Sequence, residues 1–221
     1  MTSHEPTPRG TAAAFVAVTL WGLGNVLVAA IPMNGLAIGF YRLGLGAAVY
    51  AGYLYLRGGR LSADSFRWGW LGGLFFGLDI AAFFLAVRTT TVSIAVTLSA
   101  LQPVVIAGVA AAAFGESIRA RHVIGTVVAV PAVAVVALGG SDSGEQSLFG
   151  NLMAVAALFA WSGYFIFSKK AREKMPTMDY MAVMNIVAFL TVTAIAVPAG
   201  VLWEADGRLD RERVLLVCAV L

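Results

Sequence analysis

Apolar residues run along this chain in long blocks, broken by short polar stretches. A bilayer core needs about 20 mostly apolar residues per helix. Seven blocks meet that length, at roughly 12–31, 37–56, 68–87, 92–114, 122–139, 148–168 and 180–202, and an eighth begins near Val214 and stops at Leu221. β-Barrel strands would be half as long and would alternate apolar with polar; these blocks do not. The pattern predicts an all-α fold, a polytopic transmembrane helix bundle with short connections between antiparallel neighbours. A chain that ends eight residues into a span is expected to be a fragment of a longer protein.

Composition agrees with the pattern. The 221 residues are 60% hydrophobic and 12% charged, whereas soluble domains run near 45–50% and 25%. The opening MTSHEPTPRG is polar with two prolines and reads as a disordered tail. The apolar run after it is longer than a signal-peptide core of about 7–15 residues and is expected to stay as a span.

The basic residues lie in the loops. Ten Lys and Arg fall on the side of the N-terminus and even loops, against four on the other side, with Arg42 inside a span. The positive-inside rule then puts the N-terminus in the cytoplasm of a multi-pass protein of the cell membrane. No basic stripe suited to nucleic acid is present. Cys218 is the one cysteine, so neither an intrachain disulfide nor a cysteine metal site is available. The expected partners are lipid and a small solute, with no nucleic acid and no cofactor; a second copy of the chain is left open.

An internal likeness appears when VAVTLWGLGNVLVAA (16–30) is laid against VAALFAWSGYFIFSKKA (155–171), so that Trp21 meets Trp161. The offset covers five spans, and an odd number per repeat inserts the second copy upside down. Inverted repeats of this kind are a recurring transporter architecture, with the solute site near the midplane. The division is a tail at 1–11, a first five-span repeat at 12–140, an external linker at 141–147 and an incomplete second repeat at 148–221.

Candidate chemistry is sparse and lies inside spans. Arg42 and Asp79 are ionisable, and each charge costs at least about 2.5–3.5 kcal/mol in hydrocarbon. Arg42 sits roughly 8 Å from one face and Asp79 roughly 12 Å, at 1.5 Å per residue. The two can form a structural charge pair, or one can bind solute or carry a coupling proton. Asn25, Gln102 and Tyr164 add polar groups near mid-span, and Trp21 and Trp161 sit away from the interfaces where belt tryptophans gather. Trp21, Asn25, Asp79, Gln102, Trp161 and Tyr164 are therefore the candidate solute contacts. Pro103 and Pro131 remove backbone donors inside spans, as kinks or as exposed backbone. Gly69, Gly73 and Gly77 repeat every four residues in the third span, which suits close helix packing or a sliding surface.

No catalytic set emerges. His4 and His122 lie far apart, Asp79 is the one carboxylate within a span, and no Gly-rich loop ending in Lys-Ser/Thr occurs. A secondary carrier leads; a non-transporting or nonfunctional truncated membrane protein is the alternative, and an intramembrane enzyme comes third.

Leu20-Trp21-Gly22, then Arg42 early in the second span, then LSALQPVVIAGVAAAAFGESIRARHVIGTVV (98–128) with Leu101-Gln102-Pro103, Gly115-Glu116 and Gly125, together resemble the EamA-type permeases of the drug/metabolite transporter superfamily. The resemblance covers nearly the whole first repeat and resumes at AWSGYFIFSKKA. It implies ten spans in two inverted five-span repeats, alternating-access movement of small metabolites, and a central cavity lined by spans one, three and four and their counterparts. It also implies that Arg42 is the family's second-span arginine. Glu116 would be its loop glutamate, with a structural role beside Arg119 or Arg121.

Overall fold

The structure, a computed structural model, describes residues 10–12, 15, 16, 19, 33–89, 101–114, 131 and 147–203. Every regular element among them is helical: α1 (Gly35–Leu56), α2 (Ala63–Thr89), α3 (Gln102–Phe114), α4 (Leu148–Arg172) and α5 (Thr177–Ala196). The expected first, fifth and eighth spans lie outside the described residues, apart from a few isolated positions.

Local chemistry sets the helix ends. Asn34 caps α1 by accepting from the Leu36 amide at 3.0 Å. α1 closes on Gly58, whose φ of 76° no other residue adopts cheaply. There the Gly59 amide donates to the Leu54 carbonyl and the Gly58 amide to that of Tyr55, satisfying the last carbonyls. Ser62 opens α2 by accepting from the Ser65 amide at 3.1 Å, and Ser147 opens α4 by accepting from Gly150.

Three of the described helices, α2, α4 and α5, are long and apolar enough to cross a membrane. α1 has 22 residues, but Arg42 and four tyrosines lower its apolarity. The sequence expectation for the seventh span ran to residue 202, and the structure corrects it: α5 ends at Ala196 and turns follow. Pro198 has no amide to continue the ladder, and Gly200 takes a φ of 71°.

α2 is the hub, packing on α4, α5 and α1. Its glycine face receives α5: a Cβ at Gly69 would lie 2.7 Å from Val183, at Gly73 2.6 Å from Val187, and at Gly77 2.7 Å from Thr191. Both numbers climb together along this seam, so α2 and α5 run parallel. On α1, Gly35 meets Phe84 and Gly39 meets Ile80, which makes α1 and α2 antiparallel. Gly44 meets Phe189, and Phe40 lies 5.0 Å from the same ring, centroid to centroid. The main core, with Met33, Leu36, Leu43, Phe84, Ala188 and Val192, fills the junction of α1, α2 and α5. Phe159, Leu190 and Val49 are exposed, as lipid-facing side chains of a bundle would be.

Candidate functional site

The α2–α4 contact brings the candidate residues together. Phe75 stacks on Phe167 at 5.2 Å and faces Gly163, while Ala86 packs near Ala154. These antiparallel contacts set a register that puts Asp79 level with Trp161 and Phe76 level with Tyr164. The rings close into one cluster: Trp161–Tyr164 at 5.3 Å, Phe76–Tyr164 at 5.0 Å, Phe76–Trp161 at 6.3 Å and Trp161–Phe165 at 5.3 Å. Separations in this range contribute beyond simple burial.

Asp79 lies beside the rings. It is 6% exposed, on the side of α2 that also carries Phe76, Phe83 and Ala86. No hydrogen bond or ion pair holds it among the described residues. Yet no buried side-chain nitrogen or oxygen among them is both sealed off and unpartnered. Its oxygens are therefore not fully sealed off. Asp79, Ser168, Arg172 and Tyr50 all lie within electrostatic reach of Tyr164.

One end of the cluster is shut by a polar contact that sequence reasoning missed. Ser168 and Tyr180 share a short hydrogen bond across the α4–α5 hairpin, and both are buried. Gly72 makes room, since a Cβ there would collide with the Tyr180 hydroxyl. Ala171, Tyr180 and Met184 pack with Phe76 and Tyr164 behind it. In sequence, Ser168 and Tyr180 looked like ordinary span ends; the signal that could have found them is the glycine face of α2, which needs bulky partners. Replacing Ser168 with alanine leaves the Tyr180 hydroxyl buried without its partner and is expected to cost about 1–3 kcal/mol. Adding Tyr180→Phe should return part of that loss, which thermal melting of the two variants checks.

Gln102 is half-buried at the start of α3, which packs on α4. No hydrogen bond or ring contact joins it to the cluster among the described residues. Pro103 stands in the first turn of α3, where a missing amide is tolerated. Arg42 and Asp79 form no ion pair with each other among the described residues, and the environment of each is set by burial. Trp21, Asn25 and Glu116 lie outside the described residues. Among the described residues no group of three or more His, Cys, Asp or Glu gathers that could hold a metal ion.

Apolar helices around a recessed carboxylate and an aromatic cluster define a polytopic membrane protein with an interior polar site. The sequence matches the EamA-like transporter family over residues 8–138 and 148–221, and the chain belongs to that family. It is thus a membrane transporter of the drug/metabolite transporter superfamily, in a family of transporters rather than enzymes. No curated protein matches it. A solved structure described only as "Crystal structure of protein" is similar in fold, with a TM-score of 0.66 and 24% identity, covering 93% of this chain and 71% of that one.

Proposed function

We propose that the chain is a secondary carrier that binds a small organic solute beside Asp79, Phe76, Trp161 and Tyr164 and exposes it to the two sides of the cell membrane in turn. The observation that carries this is Asp79, a recessed carboxylate with no hydrogen bond or ion pair among the described residues, level with a tryptophan of α4. An intramembrane acid of that kind is costly and is functional by default, and the rings beside it suit a cationic or aromatic solute. Trp21, Asn25 and Gln102 add further contacts on this reading. With no Gly-rich nucleotide loop ending in Lys-Ser/Thr, energy comes from a gradient or from exchange.

The inverted-repeat reading has two supports. The family match falls in two blocks that divide near the expected linker at 141–147. A two-fold axis in the membrane plane also makes the second span of each repeat antiparallel to its counterpart, and α1 and α5 run antiparallel and pack around Gly44 and Phe189. The bias of ten basic residues to four supports a cytoplasmic N-terminus.

Counterflow of labelled amines and amino acids in proteoliposomes tests the proposal. Flux above that of empty vesicles is expected, with Trp161→Ala lowering solute affinity about tenfold, the scale of a desolvated cation–π contact. Flux indistinguishable from empty vesicles across the set would sink it.

A further inference from the structure

The turn that joins α1 to α2 carries three arginines that the transport site does not use. Arg57 caps the end of α1 and Arg60 lies in the connection. Arg67 stands in the second turn of α2, roughly 6 Å from its start at 1.5 Å per residue. All three are exposed. Among the described residues none has an ion-pair partner, and nearby Asp64 pairs with none of them. Two of the three rest on aromatic faces. The Arg57 guanidinium lies 5.1 Å from the centre of the Tyr53 ring, and that of Arg67 lies 5.9 Å from Trp68. Both distances are in the range of a cation–π contact. A guanidinium lying on a ring still has its N–H edge free, and that edge is a planar fork suited to phosphate oxygens. The turn between α4 and α5 is built differently. Its Lys169, Lys170 and Lys174 are point charges mixed with Glu173 and Asp179, and Arg172 donates to the Ser168 carbonyl.

Apolar groups surround these arginines. Tyr55, Leu56, Trp68 and Trp70 are all exposed, which suits the level where headgroups meet hydrocarbon and aromatic rings gather. Beyond Arg67 an apolar stripe continues along the same side of α2. Leu71, Leu74 and Leu78 follow at steps of four, three and four residues, and each is half-exposed or exposed. The glycine seam toward α5 and the Phe76 contact with α4 occupy the other sides of the helix. From Arg67 to Leu78 the stripe rises roughly 16 Å, about half of a 30 Å hydrocarbon core. Leu78 also borders an apolar groove of about 470 Å³, lined further by Leu85, Met153 and Phe159. We propose that this end of the α1–α2 hairpin binds an anionic phospholipid of the adjoining leaflet. Its phosphate sits in the forks of Arg57, Arg60 and Arg67, and one acyl chain lies along Leu71, Leu74 and Leu78 to the mouth of the groove. A soluble anion would match the arginines but not the apolar stripe that leads away from them.

This surface lies outside the Asp79 site, so the proposal stands or falls independently of the solute. The test is native mass spectrometry of the 221-residue chain released from nanodiscs of equal parts phosphatidylglycerol and phosphatidylcholine. Retained phosphatidylglycerol is expected to exceed phosphatidylcholine about tenfold, the scale of one to two arginine contacts at a membrane surface. Changing Arg57, Arg60 and Arg67 together to glutamine should bring that ratio close to one. Changing the same three to lysine keeps the charge, removes the fork and should lose most of the preference. Changing Lys169, Lys170 and Lys174 to glutamine should leave the ratio as in the parent. Equal retention of the two lipids by the unmodified chain overturns the proposal. So does an undiminished ratio in the arginine-to-lysine variant, which would reduce the effect to surface charge. Displacement of the retained lipid by millimolar inorganic phosphate would also overturn it and assign the forks to a soluble anion. The ratio in the unmodified chain decides the matter even if the variants do not fold.

Discussion

Alanine at Gly73 or Gly77 is expected to destabilise the bundle, whereas alanine at Gly52 should stabilise it. A Cβ at Gly73 would lie 2.6 Å from the Val187 Cβ and 2.8 Å from the Met184 carbonyl oxygen. At Gly77 it would lie 2.7 Å from the Thr191 Cβ and 2.8 Å from the Ala188 carbonyl oxygen. Backbone atoms and β-carbons cannot swing aside, so α5 must back away along the whole seam. Overpacking of this kind costs about 1–3 kcal/mol, more than the roughly 0.5–1 kcal/mol that alanine gains over glycine in a helix. Gly52 has nothing within 4 Å of its missing Cβ, so only the gain remains there. Thermal melting in one detergent should move in opposite directions for the two classes. If Gly73→Ala melts as high as Gly52→Ala, α5 does not pack on this face of α2.

That seam also shows where the sequence stopped being informative. The spans expected at 37–56, 68–87 and 148–168 correspond to α1, α2 and α4 because length and apolarity are one-dimensional properties. Their ends drifted where the determinant was local. α2 starts five residues before its expected span, at Ala63, because Ser62 caps it while charged residues still hide it from a hydropathy window. Which side of each helix faces inward was not legible. Lipid-facing and protein-facing side chains are alike apolar, so no amphipathic stripe marks the buried face. Depth alone put Asp79, Trp161 and Tyr164 at one level; across the α2–α4 contact it is Phe76, which depth did not single out, that meets both rings. Depth could not say that Arg42 and Asp79 stay apart, which depends on the angle around each helix. Nor could it find Ser168 and Tyr180, which meet only because the α4–α5 hairpin folds back beside Gly72.

Asp79→Asn should raise the stability of the empty protein while removing its transport. Asparagine keeps the shape of the side chain and drops the charge. The carboxylate is recessed, with no hydrogen bond or ion pair among the described residues, so the folded chain bears its desolvation without compensation. Relieving strain of this kind at a functional site commonly yields about 0.5–2 kcal/mol, and the melting temperature should rise accordingly. Transport should move the other way. Truncating one partner of a buried, hydrogen-bonded charge pair costs about 2–5 kcal/mol, so affinity for an ammonium-bearing solute should fall at least about thirtyfold. Asp79→Glu retains the charge on a longer stem and should keep part of the transport, which separates loss of charge from loss of shape. The opposed signs carry the diagnosis. An Asp79→Asn protein that melts lower than the parent would mark the carboxylate as a structural anchor. A variant that melts higher and transports at the parent rate would move the solute away from α2, and the aromatic cluster of α4 would then be a packing core rather than a binding surface.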